Sequence, residues 1–526
     1  MNIGAALLIS VFTMLAASAC ATQEQTAQAA PPPPVMNAQG EMAGEVSDTS
    51  VILQTRLTAV EGLTQDDVAG AGGVAQFEWS ESPEFTGSMK TEWMKAVPEH
   101  DFIVKKRISG LKPGTRYHYH AIFGADEKSA KAGPARSFKT LAGAALATEV
   151  NFVVVTGMNF NSFYRGARAY KGADRTQGYP ALVPILEAKP DFFVGTGDNV
   201  YYDSGPKHAQ KAEDMRRFWH EQFVQPRMVS LMGQVASYWE KDDHDTRYND
   251  SDNTGTLEPL PALGKTIFEE QMPVRDPADE RAVPYRTYRV SKDLQIWMTE
   301  GRDYRSPNMA APEGKTMWGA EQVAWLKRTL LESDATFKIL ISPTPMVGPD
   351  DINRIEFMGN ARGGRGRGAG AGTAPVRDTP VPDAARNVDE LKRDNMTNPG
   401  GFKGERDEFF AWLHQNRILG NNFYIICGDR HWQYYSIHPT GIEEFSTGAI
   451  VNENARLGRA PGDPLGNDPK GLIKQPYTNK TPMGGFFKFT LQPGDKPKAL
   501  FRWYDDHGVE QYSVVKEAVV RRTSTQ

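Results

Sequence analysis

The fold class follows from residues 192–203, which read Phe192-Phe193-Val194-Gly195-Thr196-Gly197-Asp198-Asn199-Val200-Tyr201-Tyr202-Asp203. An apolar run that leads through glycines into a carboxylate predicts a buried strand and then a tight turn. Because ligands of open α/β sheets bind where strands end, Asp198 and the phenol of Tyr201 become candidate site residues. A turn-capping aspartate beside a packed tyrosine is the structural alternative.

Other apolar runs of strand length predict that this strand belongs to a layered α/β domain, which we assign to residues 142–526. The predicted strands are residues 151–156, 191–195, 294–298, 338–342 and 423–427. Amphipathic helices are predicted at residues 211–223, 319–332 and 405–415.

Two further segments combine acids with histidine. Residues 239–250 hold five acids, one histidine and one arginine, a density of charge that needs a cation or solvent to compensate it. Asp243 and His244 lie at the centre of this segment. In Gly428-Asp429-Arg430-His431, the side chains of Asp429 and His431 alternate beyond a predicted strand and can reach the same side. These side chains are therefore candidate metal ligands, with a solvated acidic loop as the alternative for residues 239–250.

A fourth polar cluster, residues 300–305, follows the predicted strand at 294–298. Arg302 and Arg305 suit bidentate binding of phosphate oxygens, although arginines in such places also form structural ion pairs with carboxylates. Cys427 lies within its predicted strand and is interpreted as a buried apolar residue rather than a ligand. Four clusters of this kind together favour a metal and an anionic substrate.

The N-terminal part of the chain has a different pattern. Residues 46–141 contain short alternating runs separated by turn residues, which predicts antiparallel strands. Within them, residues 108–120 resemble the tyrosine-bearing corner of fibronectin type III sandwiches. Residues 21–45 are rich in Gln, Ala and Pro, a composition that predicts a disordered linker.

The first 20 residues predict export. Residues 5–17 form an apolar run of signal-peptide length, and the small residues after it offer a cleavage site. The same boundary resembles a bacterial lipoprotein signal in which Cys20 is lipidated, and this anchor is the only membrane attachment that the sequence indicates. We expect a periplasmic, outer-membrane lipoprotein or extracellular location. Once Cys20 is removed or acylated, Cys427 is the only thiol left, which excludes an intramolecular disulfide.

The composition excludes several classes of protein. A formal net charge of -5, with 39% hydrophobic and 24% charged residues, does not suit a disordered chain, a polytopic membrane protein or a nucleic-acid binder. Residues 359–372 alternate glycines with arginines and predict a flexible surface insertion, because no aromatic residues for base stacking accompany them. The sequence does not indicate an oligomeric state.

The order of the motifs Gly-Asp-x-x-Tyr, Asp-Asp-His-Asp, Arg-x-Tyr-Arg and Gly-Asp-x-His resembles that of PhoD-like alkaline phosphatases, members of the calcineurin-like metallophosphoesterase superfamily. The resemblance extends from about residue 46 to the C-terminus. It implies a layered β-sandwich flanked by helices, preceded by a fibronectin type III-like all-β sandwich. It also implies an iron and calcium centre that hydrolyses phosphate esters by in-line attack of a metal-bound hydroxide on phosphorus.

The resemblance implies a role for each candidate metal ligand. Asp198 would bridge the two metals, and Tyr201 would bind iron as a phenolate. Asp243 would be a ligand on the calcium side. Asp429 and His431 would complete the calcium and iron shells, respectively.

The resemblance also implies roles close to the substrate, and it is incomplete at one place. His244 would donate a proton to the leaving group or hold the phosphate, Arg302 would lie near the phosphate, and Arg305 would assist in binding the substrate. The family usually has a cysteine that binds iron at the end of its first core strand, where this chain has Met158. A neutral thioether binds ferric iron poorly, and Asn159 offers a carbonyl oxygen instead. The identity of the metal on that side therefore stays open.

Three other functions fit part of the sequence. A phosphodiesterase would use the same metals on the same scaffold. A non-catalytic envelope binding protein would keep a degenerate metal site, which Met158 favours and the otherwise complete set of ligands disfavours. A sugar-active enzyme would need two isolated acids rather than clusters that contain histidine. We therefore expect an exported metal-dependent hydrolase of phosphate esters, with the diesterase and the binding protein as alternatives.

Overall fold

A computed structural model of the protein describes residues 34–279, 281–352 and 392–519. Within these ranges, two large mixed sheets pack face to face, and helices cover the outer face of each. The predicted architecture, a layered β-sandwich flanked by helices, is confirmed. No helix in the described ranges is long and apolar enough to cross a membrane.

The first large sheet has nine strands. Along the chain they are β1 (Glu41–Gly44), β2 (Ser50–Arg56), β6 (Ile103–Ser109), β10 (Val150–Val155), β11 (Phe192–Thr196), β12 (Ala236–Glu240), β20 (Gly485–Gln492), β21 (Lys498–Asp505) and β22 (Glu510–Glu517). Their order across the sheet is β22-β21-β20-β10-β11-β12-β1-β2-β6. Because β10, β11 and β12 are parallel, their carboxyl ends lie at the same end of the sheet.

The second large sheet has seven strands. They are β13 (Arg286–Ser291), β14 (Leu294–Met298), β15 (Phe337–Ser342), β16 (Phe423–Cys427), β17 (Gln433–Ile437), β18 (Glu443–Thr447) and β19 (Lys474–Thr478). Their order is β13-β14-β15-β16-β18-β17-β19, and β14, β15, β16 and β18 are parallel. This sheet therefore also gathers several strand ends at one end.

Seven helices cover the outer faces of the two sheets in the described ranges. The first sheet is covered by α1 (Phe160–Tyr164), α2 (Leu182–Glu187), α3 (Ala212–Phe223), α4 (Pro226–Met232) and α5 (Pro261–Gln271). The second sheet is covered by α6 (Gly319–Glu332) and α7 (Lys403–Gln415). Short 3-10 helices occur at Pro98–His100, Arg175–Gln177 and Asn452–Asn454. The three helices predicted from the sequence, α3, α6 and α7, are confirmed to within two residues.

The apolar strands are buried on both faces. On β11, Phe192 and Val194 pack in the core between the two sheets, whereas Phe193 packs against the helices. On β14, Ile296 and Trp297 alternate in the same way. Burial of one such side chain contributes about 1.5–3 kcal/mol. The two covered faces explain why these strands are continuous apolar runs in the sequence.

The N-terminal region is entirely β between residues 41 and 139, apart from one 3-10 turn. A six-stranded sheet contains β3 (Gly73–Ser80), β4 (Met89–Lys90), β5 (Met94–Ala96), β7 (Arg116–Gly124), β8 (Lys131–Ala132) and β9 (Arg136–Lys139). The hydroxyl of Tyr117 accepts a hydrogen bond from the N–H of Lys112 at 2.9 Å, as in a tyrosine corner. Strands β1, β2 and β6 instead extend the first large sheet, through the parallel pairing of β1 with β12. The domain boundary at residue 141 stays a prediction.

The predicted linker at residues 21–45 is wrong at its C-terminal end. Residues 41–44 form β1, and Glu41 is fully buried in an ion pair with Arg136, with 2.9 Å between Oε2 and Nε. Composition misses this strand because the charge of Glu41 is compensated by the distant Arg136, and because the strand is stabilised by backbone pairing with β2 and β12 on its two edges. Residues 21–33, the predicted signal peptide with Cys20, and the insertion at 359–372 lie outside the described residues.

Candidate metal centre

The carboxyl ends of β11 and β16 meet where the two sheets approach each other. The chain leaves β11 through Gly197 and Asp198, with φ values of 78° and 56°, and leaves β16 through Gly428 and Asp429, the latter with φ of 56°. A Cβ atom on Gly428 would overlap the carbonyl oxygen of Thr196, so glycine is required for this approach. A left-handed aspartate costs about 1–2 kcal/mol and persists where the surrounding structure holds it, often at functional sites.

Three side chains from these two turns form a triangle of close contacts. The hydroxyl of Tyr201 lies 2.8 Å from Oδ2 of Asp198 and 3.1 Å from Nε2 of His431. Nε2 of His431 lies 3.0 Å from the same Oδ2 atom of Asp198. The imidazole of His431, more than 200 residues along the chain, thus converges on one point with the carboxylate of Asp198 and the phenol of Tyr201.

Asp243 and His244 extend this triangle from the loop after β12. One ligand atom from each of Asp198, Asp243 and His244 lies within 4.8 Å of the others, and all three residues are buried. The rings of Tyr201 and His244 are in contact, with centroids 4.2 Å apart. Together with Asp429 and His431, these four residues are called the metal centre below. The structure therefore brings the predicted set to one place.

The unpaired polar atoms of the metal centre fit a cation. Oδ1 of Asp198 is buried and has no hydrogen-bond partner in the described part of the chain. Such an atom destabilises the fold by about 1–3 kcal/mol unless something compensates it. Burial raises the pKa of Asp198 to about 8, and the carboxylates of Asp243 and Asp429 add to the effect of burial, against the opposing charge of His244. A cation bound here would keep these acids ionised.

The donor types also fit metals. Carboxylate and phenol oxygens and an imidazole nitrogen suit a hard or intermediate cation. Tyr201 and His431 would hold a cation on one side, Asp243 and Asp429 would hold one on the other, and Asp198 would serve both. The assignment of iron and calcium to these sides stays a prediction.

Arg302 supports the acidic loop of the metal centre. Its Nε donates to Oδ1 of Asp242 at 2.6 Å, and its Nη1 donates to the carbonyl oxygen of Ser251 at 2.8 Å. Its Nη2 lies 3.8 Å from Oδ1 of Asp243. The guanidinium therefore lies beside the metal centre, as predicted, but much of its hydrogen-bonding capacity holds the loop in place.

The surroundings of Arg305 differ from its predicted role in binding the substrate. Its side chain is buried, donates to the carbonyl oxygens of Gly301 at 2.7 Å and Asp394 at 3.1 Å, and packs on Phe402. Although Arg305 is close to Arg302 in sequence, its N–H groups are engaged by buried carbonyl oxygens. This geometry favours a structural role.

Asn159 and Met158 lie next to the metal centre, and both have other contacts. The side-chain oxygen of Asn159 caps α1 by accepting from the N–H of Ser162 at 2.9 Å, and it accepts from the hydroxyl of Ser204 at 3.3 Å. Met158 is fully buried in the apolar core under the helices, and its N–H donates to the carbonyl oxygen of Asp198 at 2.9 Å. The carbonyl oxygen that Asn159 was expected to offer to a metal is thus already engaged.

Two residues of the site were missed by the sequence analysis. Oδ1 of Asp203 lies 2.6 Å from Nδ1 of His244. Because Asp203 belongs to the same motif as Asp198, the sequence could have indicated it as a site residue. Burial lowers the pKa of His244, but Asp203 and the other nearby carboxylates outweigh burial and raise it to about 10. Nδ2 of Asn454 donates to the hydroxyl of Tyr201 at 2.8 Å from a loop far along the chain. No local pattern marks Asn454.

Comparisons with known proteins found matches to two family profiles and to solved structures. The sequence profile of PhoD-like phosphatases matches residues 152–460, and the profile of the PhoD-like phosphatase N-terminal domain matches residues 20–141. A solved structure described as the structure of PhoD is similar at a TM-score of 0.64 and 18% sequence identity, and the match covers 94% of this chain and 95% of that chain.

A purple acid phosphatase from seeds of yellow lupin (Lupinus luteus) is similar at a TM-score of 0.55 and 11% sequence identity, with 92% of this chain and 74% of that chain covered. Identities this low show a shared fold only. A search of curated proteins found no match. The profile of the phosphatase domain spans more than half of the chain, and the protein therefore belongs to the PhoD-like phosphatase family.

Proposed function

We propose that the protein is an exported, metal-dependent hydrolase of phosphate esters whose active site is the metal centre. The observation that carries the proposal is the buried convergence of Asp198, Asp243 and His244, whose ligand atoms lie within 4.8 Å of one another; one carboxylate oxygen of Asp198 has no donor among the described residues. Membership of a phosphatase family supports a phosphate ester as the substrate.

Metals bound by the five predicted ligands would polarise a phosphoryl oxygen and lower the pKa of a water molecule. By resemblance these metals are iron and calcium. The ligands are Asp198, Tyr201, Asp243, Asp429 and His431. Tyr201 also fixes the orientation of Asp198, because its hydroxyl contacts the carboxylate at 2.8 Å.

His244 is proposed to act on the leaving group or on a phosphate oxygen. Its Nδ1 faces Oδ1 of Asp203 at 2.6 Å, so the ring is held by a carboxylate and its other nitrogen, Nε2, is the atom that gives or takes a proton. Arg302 contributes by holding Asp242 and the neighbouring Asp243 in place. The side chains of His244, Arg302 and Asp243 are buried, which strengthens their electrostatic interactions.

Export is proposed from the apolar run at residues 5–17 and the small residues that follow it. Mass spectrometry of the protein recovered from the cell envelope tests this point. A mature chain that begins at Cys20 and carries lipid would support an anchor, and a chain that begins nearby without lipid would support release. A chain that keeps residues 1–19 would contradict export.

Hydrolysis of a chromogenic phosphate monoester and of a chromogenic diester, measured side by side, tests the proposed function. The metal-loaded protein is compared with Asp198→Ala, and with Asp334→Ala as a control for loss of an exposed carboxylate. We expect turnover of at least one ester by the unmodified protein and the control, and a loss of more than about a hundredfold in Asp198→Ala. The preferred ester separates a phosphatase from a diesterase. No turnover with any metal would favour the binding protein.

A further inference from the structure

Arg456 lies on a loop that borders the metal centre. The loop follows the 3-10 helix Asn452–Asn454, in which Asn454 donates to the hydroxyl of Tyr201 at 2.8 Å. The backbone N–H of Arg456 donates to the carbonyl oxygen of His431 at 3.0 Å. The backbone of Arg456 is therefore anchored to one residue of the metal centre and lies close to another.

The guanidinium group of Arg456 is held in place without using its N–H donors. It packs on the face of the buried Trp432, 4.4 Å from the ring centroid. Its Nη1 lies 3.6 Å from Oδ1 of Asp350, and its side chain makes no hydrogen bond with any residue that the structure describes. The side chain is 23% exposed. A stacked and partly exposed guanidinium of this kind is ready to bind an anion.

Oδ1 of Asp350 has no hydrogen-bond partner among the described residues, and its 3.6 Å contact with Arg456 is longer than a hydrogen bond. Its carboxylate is buried, and its Oδ2 atom already contacts Nζ of Lys392 at 2.8 Å and Nη1 of Arg430 at 2.7 Å. Both contacts are shorter than the one to Arg456. Three cations therefore face this carboxylate, and Arg456 is the most distant and the most exposed of the three.

The other two cations of this group are less available than Arg456. Lys392 also interacts with the carboxylates of Asp250 and Asp394, which compensate part of its charge. Arg430 is fully buried. Arg456 is therefore the most accessible of the three cations, and its guanidinium donates no hydrogen bond to the described residues.

A chain of contacts links Arg456 to the metal centre, because Asp350, which Arg456 faces at 3.6 Å, shares Arg430 with Asp429. Nη1 of Arg430 contacts Oδ2 of Asp429 at 2.7 Å in addition to Asp350. We propose that Arg456 forms a subsite for a second anionic group, so that the preferred substrates are phosphate esters that also carry a second phosphate or a carboxylate. The inference rests on the proposed function and specifies its substrate class.

Calorimetric binding to the metal-loaded full chain tests the subsite without turnover. The ligands are propylphosphonate, its bisphosphonate analogue and phosphonobutanoate, which carry no second anion, a second phosphonate and a carboxylate, respectively. Arg456→Gln is compared with Arg168→Gln as a matched control. Arg168 is exposed and donates to the carbonyl oxygen of Glu453 on the same loop, but it lies outside the cationic group.

We expect the unmodified protein and Arg168→Gln to bind at least one ligand with a second anionic group about tenfold more tightly than propylphosphonate. Arg456→Gln should lose this preference and keep its affinity for propylphosphonate, and the better ligand shows whether phosphate or carboxylate is preferred. Equal binding of all three ligands by the unmodified protein would overturn the subsite. An equal loss of affinity for all three ligands in Arg456→Gln would also overturn the subsite, because Arg456 would then hold the first phosphate.

Failure of the subsite can be distinguished from failure of the proposed function. Turnover of a monoester without a binding preference refutes the subsite alone. A preference that depends on Arg456, without turnover of any ester, refutes the proposed function and leaves the subsite standing.

Discussion

Replacement of Asp203 by asparagine tests whether Asp203 holds the ring of His244 in the orientation that the reaction needs. Oδ1 of Asp203 lies 2.6 Å from Nδ1 of His244, and Oδ2 accepts from the N–H of Asn249 at 2.9 Å. The two side chains of the pair are only 4% and 8% exposed, and a charge-assisted hydrogen bond in such a place contributes about 1.5–3 kcal/mol. Asparagine keeps the size and one acceptor oxygen but removes the charge. We therefore expect kcat/KM to fall about ten- to a hundredfold.

Steady-state kinetics on the preferred phosphate ester measures this loss, with metal content and thermal melting recorded for the same preparations. The fall should appear mainly in kcat, because the group that is misplaced acts on the reacting atoms. Asp334→Asn, which removes an exposed carboxylate, serves as the control and should match the unmodified protein. A kcat/KM within twofold of the unmodified protein in Asp203→Asn would refute the proposed positioning of His244.

Three further predictions concern the metal centre and the fold. Tyr201→Phe removes a phenol in contact with two other proposed ligands, so elemental analysis should find less bound metal per chain; unchanged metal content would contradict its role. Asp101→Asn leaves Arg56 and His220 without their buried carboxylate and should lower the free energy of unfolding by about 3–5 kcal/mol in urea titrations. Burial raises the pKa of Asp101, but His220 and Arg56 outweigh it and hold this pKa well below its usual range. The stabilisation is therefore present above about pH 4 and lost in stronger acid, so the difference from the variant should shrink there. Gly428→Ala should reduce activity at least tenfold, because the added Cβ overlaps a backbone oxygen of the facing strand; full activity would show that this approach is not needed.

Local sequence predicted the elements that are buried on both faces. Strands β14 and β16 and helix α6 have the predicted bounds, because an apolar run between two covered faces leaves little choice of structure. The same reasoning failed for β1. The strand has only four residues, one of them Glu41, and it is stabilised by pairing with β2 and β12, which the composition of residues 41–44 does not reveal.

The candidate site was predictable where one motif supplies both the turn and the ligand. Asp198 and Asp429 each follow a glycine at a strand end, and the structure brings their motifs together. Contacts between distant segments were not predictable. Asn454 reaches Tyr201 from a loop more than 250 residues away, and Arg305 is surrounded by carbonyl groups whose positions depend on the tertiary fold.

We propose that the metal centre holds a metal on which hydrolysis of phosphate esters depends. Elemental analysis and turnover, measured on the same preparations of the unmodified protein and of Asp198→Asn, show whether metal and activity are lost together. We predict that the unmodified protein contains metal and hydrolyses an ester, and that the variant loses metal and activity together. An Asp198→Asn variant that lacks metal but hydrolyses the ester as fast as the unmodified protein would contradict the claim.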